Sequence, residues 1–111
     1  MFRTDLWVAA FVRRHNDLGQ ICVVVRRGDP IAGQIFIEVD HLNGTASLLT
    51  PAPATARAEG DEDHIFVRRF SSVEPKQVAE RVAREIGYDP DLWVISLEMR
   101  GNEVGVTEVG A

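Results

Sequence analysis

The segment from Ile21 to Asp40 constrains the fold most. An uncharged run, Ile21-Cys22-Val23-Val24-Val25, passes through Arg26-Arg27 into the loop Gly28-Asp29-Pro30-Ile31-Ala32-Gly33, and an alternating strand leaves it. Pro30 fixes φ, Asp29 offers its carboxylate to the backbone ahead, and Gly28 and Gly33 permit positive φ. The segment therefore reads as the middle of a β-meander. A strand without a polar interruption is expected to be covered on both faces, which places the first strand inside the sheet. The second strand alternates Ile35, Ile37 and Val39 against Phe36, Glu38 and Asp40, so the first set marks a core face.

The flanking chain supplies helices and further strands. Thr4 is placed to cap a helix with Asp5 in its first turn, a body of Leu6, Trp7, Ala10, Phe11 and Leu18, and Gly19 as its stop. Asn43-Gly44 suits a two-residue hairpin, which pairs Val39 with Leu48 and His41 with Ala46. In that register Ala46 and Leu48 share the face of Ile35, Ile37 and Val39, while Leu49 joins Phe36 on the other. Pro51-Ala52-Pro53 interrupts the sheet, and residues 54–63, small and acidic, suit a mobile loop. His64 to Phe70 reads as a fourth strand. Ser71 or Ser72 caps a second helix with Pro75 in its first turn, the stripe Val78, Ala79, Val82, Ala83 and Ile86, a Glu80–Arg84 pair, and Gly87 as its stop. Leu92 to Met99 is a fifth strand with Trp93, Ile95, Leu97 and Met99 on one side. Residues 101–111 read as a flexible C-terminal tail to a single domain of residues 1–100. The expected architecture is α+β in the order α-β-β-β-β-α-β, a two-layer sandwich with two helices on one face of a five-stranded, mostly antiparallel sheet.

Whole-chain properties exclude several classes. At 111 residues with 45% hydrophobic and 26% charged content, the chain suits one globular domain. No apolar run reaches the roughly 18 residues of a membrane span, and Met1 to Asp5 lacks a secretory signal pattern. Cys22 is the only cysteine, so a reducing cytoplasmic setting is expected. The net charge of −5 is uneven, with 6 Lys/Arg against 5 Asp/Glu up to Ala58 and 6 against 12 thereafter. No DNA partner is expected from that balance, although a local arginine patch leaves RNA or a small anion open.

Four segments, Thr4-Asp5-Leu6-Trp7-Val8-Ala9-Ala10, Val24-Val25-Arg26-Arg27-Gly28-Asp29, Gly33 with Pro51-Ala52-Pro53, and Tyr88-Asp89-Pro90-Asp91-Leu92-Trp93-Val94, together resemble an uncharacterised alphaproteobacterial family, domain-of-unknown-function family 1491. The resemblance covers nearly the whole chain and implies a small bacterial cytoplasmic protein. It brings no catalytic residue with it.

The residues themselves point to binding rather than catalysis. The glycine loop joins two strands, whereas a phosphate loop precedes a helix. Glu59, Asp61, Glu62, Asp63 and His64 read as a solvated charge run, and His15 and His41 lack ligand-spaced partners. Cys22 lies in an apolar strand, opposite to the setting of a reactive thiol, and no serine sits in a nucleophile elbow. No catalytic, cofactor-binding or metal-ligating residue is therefore assigned. The arginine pairs Arg13-Arg14, Arg26-Arg27 and Arg68-Arg69 are the leading polar feature. With one sheet face left open, Phe36 and Phe66 among Arg26 and Arg68 would form an interface for a protein partner or a second copy. Alternatively, Arg26, Arg27 and Arg68 would meet beside the glycine loop and bind an anion, a nucleotide or RNA. An enzyme with a site built from scattered residues is the third reading.

Overall fold

The computed structural model describes residues 3–53 and 64–110. The acidic residues Glu59, Asp61, Glu62 and Asp63, with the rest of the expected 54–63 loop, lie outside them. The elements are α1 (Thr4–Asp17), β1 (Ile21–Arg26), β2 (Ile35–Asp40), β3 (Ala46–Pro51), β4 (Ile65–Val73), α2 (Pro75–Tyr88), β5 (Trp93–Glu98) and β6 (Thr107–Val109). They form an α+β fold with one six-stranded sheet in the order β1-β5-β2-β3-β4-β6. Three neighbouring pairs are antiparallel, while β2–β5 and β4–β6 are parallel, so the sheet is mixed. The sixth strand comes from the segment expected to be a tail. Val104 is fully buried in the core, and Thr107 to Val109 pair with β4.

The meander expected around the glycine loop does not form, because β5 lies between β1 and β2. β1 is consequently an edge strand. Only Cys22 of its apolar run is buried; the continuous apolar pattern, which elsewhere marks a strand covered on both faces, here leaves one face bare.

The two helices lie on opposite faces of the sheet, correcting the expected two-layer arrangement. Val8 and Phe11 of α1 pack with Ile35, Ile37, Val39, Trp93, Ile95 and Leu97. Val78 and Val82 of α2 pack with Phe36, Leu48 and Val94. The register of the β2–β3 hairpin explains the difference. Val39 pairs with Ser47 and Glu38 with Leu48, one residue away from the expected pairing. His41 N–H donates to the Thr45 carbonyl across a three-residue loop, in which Leu42 and Gly44 take positive φ. One extra loop residue sends every β3 side chain to the other face. Ala46 and Leu48 thereby join Phe36 in a second apolar surface that α2 covers.

Helix chemistry also departs from expectation. Thr4 is inside α1, whose N-cap is Arg3, and its hydroxyl donates to the Gly33 and Ile31 carbonyls at 3.2 and 3.3 Å. The buried side of α1 is Thr4, Val8, Phe11 and His15, while Leu6 and Leu18 are exposed. Ser71 and Ser72 belong to β4; Glu74 is the α2 N-cap and Pro75 its first residue. Val78, Val82 and Ile86 face the core as expected. Ion pairs on α2 join Lys76 with Glu80 and Arg81 with Glu85, rather than Glu80 with Arg84.

Candidate functional site

The glycine loop is structural. Asp29 accepts from the N–H groups of Ile31 and Ala32 at 3.1 and 2.8 Å, the local turn expected of it. Its own N–H donates to the Asp91 carbonyl, and its carbonyl accepts from the Trp93 indole Nε1 at 2.7 Å. Gly28 and Gly33 do not have positive φ. They are required because a Cβ at either position would collide with the Asp91 carbonyl, so the loop rests directly on the entry to β5. The N–H groups of Thr4 and Asp5 donate to the Ile31 and Pro30 carbonyls, which occupies amides that an anion at the start of α1 would need.

The three arginines do not converge. β1 and β4 are separated by three strands, about 19 Å at ordinary strand spacing. Arg26 lies opposite Val94, on the α2 side, where its Nη2 donates to the Pro90 carbonyl at 3.0 Å and its buried Nε has no partner. Arg68 is fully engaged at the far edge. It forms paired bonds to Glu108 at 3.0 and 2.9 Å and donates to the Asn102 carbonyl at 2.8 Å, clasping the β6 segment to β4. The Arg27 side chain has no ion-pair partner among the described residues, and its guanidinium lies 5.0 Å from the Trp93 ring centroid.

The aromatic residues expected on an open face are covered. Phe36 is 6% exposed beneath α2, because the hairpin slip creates a second core there. Phe66 is 1% exposed on the opposite side, 5.7 Å from Trp7 between ring centroids. The interface expected of these two residues is therefore absent from the surface. Among the described strands, the exposed large apolar side chains are those of β1. Ile21, Val23 and Val25 are 57%, 50% and 57% exposed. Ile21 and Val23 stand opposite Glu98 and Ser96 on the α2 side, but α2 lies over β2, β3 and β4 instead. A register irregularity at Val25 bends the strand before Arg26.

The outer edge of β1 is partly closed by α1. The Asn16 side-chain amide donates to the Cys22 carbonyl at 3.1 Å and accepts from the Cys22 N–H at 2.9 Å. These are the two bonds that a neighbouring strand would make at that residue. Gln20 N–H is likewise held by the His15 carbonyl. Further pairing along this edge is thus obstructed, while the side-chain face remains bare. Nothing in the apolar run distinguishes its covered residue from its exposed ones, since their fate depends on β5, a strand near the far end of the chain.

A serine–histidine pair among the described residues is also structural. Ser72 N–H donates to Ser47 Oγ at 2.9 Å, Ser47 Oγ lies 2.7 Å from His41 Nε2, and His41 Nδ1 lies 3.3 Å from the Met99 carbonyl. With Ser47 at 0% and His41 at 3% exposure, these bonds tie β3 to β4 out of reach of a substrate. His15 is buried too, with Nδ1 2.6 Å from Gln20 Oε1. Burial pushes the Cys22 thiol up to about 11, which keeps it protonated at neutral pH. Among the described residues no three His, Cys, Asp or Glu side chains gather as a metal site. No helix there is long and apolar enough to cross a membrane.

Known proteins share this fold. A family model described as "Protein of unknown function (DUF1491)" matches residues 2–106. The crystal structure of a DUF1491 family protein from Caulobacter crescentus CB15 is 29% identical, with a TM-score of 0.79 over 97% of each chain. The solution structure of protein Atu0922 from A. tumefaciens is 28% identical, with a TM-score of 0.83 over 98% of this chain and 95% of that one. An NMR structure of a DUF1491 family protein from C. crescentus CB15 is 29% identical, with a TM-score of 0.77 over 97% and 96%. No curated protein matches the chain.

Proposed function

Since the chain belongs to the DUF1491 family, whose description gives no activity, we propose a function from its surface: it is a small cytoplasmic interaction protein that uses the bare face of β1. The observation that carries this reading is the row Ile21, Val23 and Val25, three half-exposed branched aliphatic residues on an edge strand. Edge strands usually carry charges or are very short, as β6 is; Ile21 to Val25 has no charge.

A second copy of the chain suits this surface. An apolar row repels nothing of its own kind, and a two-fold axis near Val23 would bring Val23 against Val23 and Ile21 against Val25. The Asn16 amide argues for contact between side-chain faces, not for one continuous sheet. Three half-exposed residues fall well short of the roughly 800 Å² per partner in a stable interface, so the association is weak and reversible. Sedimentation equilibrium should give a dissociation constant between about 10 µM and 1 mM, and Val23→Glu should abolish association without lowering the thermal midpoint. A parent protein that remains monomeric at about 1 mM would defeat the self-association reading.

A further inference from the structure

A separate cleft lies between α1 and β1, on the side of β1 opposite to Ile21 and Val23. Its volume is about 310 Å³. The apolar wall is formed by Val8 and Val12 of α1, Val24 of β1 and Trp93 of β5, and its charged members are Asp5, Arg13 and Arg27. The charges do not cancel inside the cleft. Asp5 is engaged by Arg3 through two contacts at 3.2 Å. Arg13 reaches Asp17 only at 3.9 Å, with both side chains largely in water, a pairing of little strength. Arg27 has no ion-pair partner among the described residues, and the Trp93 ring supports its guanidinium at 5.0 Å. A guanidinium held over a ring still presents its N–H edges, and a planar acceptor with two oxygens fits those edges best.

We infer that this cleft binds an organic monocarboxylate with an apolar body, the carboxylate on Arg27 and the body against Val8, Val12 and Val24. Arg13 adds a second positive charge at longer range. One negative charge matches the cleft because Arg27 is its one close cation without an ion-pair partner among the described residues. The volume stands at the lower end of small-molecule sites, which corresponds to a body of about a dozen non-hydrogen atoms. This inference is independent of the proposed association, since it rests on different side chains.

The test is a titration of the whole protein with 4-phenylbutyrate and, separately, with its neutral amide, followed by ¹H–¹⁵N NMR. Saturable shifts should appear at Val8, Val12, Val24 and the Trp93 indole N–H, and the carboxylate should bind about tenfold more tightly than the amide. Arg27→Gln should remove that preference while leaving the rest of the spectrum superposable, and Val23→Glu should leave the titration unchanged. Equal binding of acid and amide to the unmutated protein would overturn the assignment, whether or not the Arg27 variant folds. So would a carboxylate preference that survives Arg27→Gln, shifts centred on Ile21, Val23 and Val25, or no saturation by about 20 mM.

Discussion

Gly28 and Gly33 stand out in the sequence as turn residues, but the structure needs them for a different reason. Neither takes positive φ; each lets the loop backbone rest against the Asp91 carbonyl. Gly28→Ala should therefore destabilise the protein by about 2 kcal/mol, lowering the thermal midpoint by roughly 10 °C, because the obstruction is backbone and cannot swing aside. Gly87→Ala provides the contrast. That glycine lies in the last turn of α2, where an added methyl group would meet nothing within 4 Å, so alanine should stabilise the helix by about 0.5–1 kcal/mol. Thermal unfolding of the two variants separates close approach from simple helix propensity. Composition and turn chemistry correctly mark the loop and Asp29, yet not the partner. Asp91 is far along the chain, and a glycine needed for proximity looks the same in a sequence as one needed for φ. Thr4 and His15 are hidden for a related reason: polar residues on a buried helix side are legible only once their partners, the Gly33 carbonyl and the Gln20 side chain, are in place.

At the level of elements, the packing of α2 over β2 and β3 buries part of Glu38 together with Phe36 and Leu48. Burial raises the Glu38 carboxyl above its ordinary value, with desolvation as the cause. Between the unfolded and folded pKa values the native state holds more proton than the unfolded chain, so Glu38 lowers stability as pH rises through that window, and the loss persists above it. Glu38→Gln should accordingly raise the thermal midpoint at about pH 7 and have little effect near pH 4, where the carboxyl is already largely protonated. A midpoint gain of equal size at both pH values would remove desolvation of the charge as its source. Asp40 lines the same cavity as Glu38 and is common to the parent and the variant, so the comparison isolates one group. The identities of β1 to β5, the Ile35/Ile37/Val39 face and the β5 face are readable from period-two patterning, whereas β6, three residues long, is not. The side on which α2 sits is not, because Leu48 and Leu49 are both apolar and either register of the hairpin supplies a plausible core face.

For the whole molecule the decisive feature is the place of β5. It is antiparallel to β1 and parallel to β2, and it joins two strands whose connection through the glycine loop suggests that they are neighbours. Sequence patterning exposes strands and their faces but carries no direct signal of which distant strand enters between two near ones. The arginine site fails with the meander, since it requires β1 and β4 to end beside one loop. A fragment comprising residues 1–90 should lack a cooperative thermal transition, because it removes the shared neighbour of β1 and β2 along with Leu92, Trp93, Val94, Ile95 and Leu97. A sharp transition with native-like circular dichroism in that fragment would show that the remaining strands can assemble without it. The same arrangement sets an order on biosynthesis. The strand in the middle of the sheet is synthesised after β1, β2, β3 and β4, so β1 and β2 leave the ribosome before the strand that unites them. During that interval the uncharged stretch Ile21 to Val25 is fully available to other nascent chains, and the sheet closes only after translation of β5 is complete.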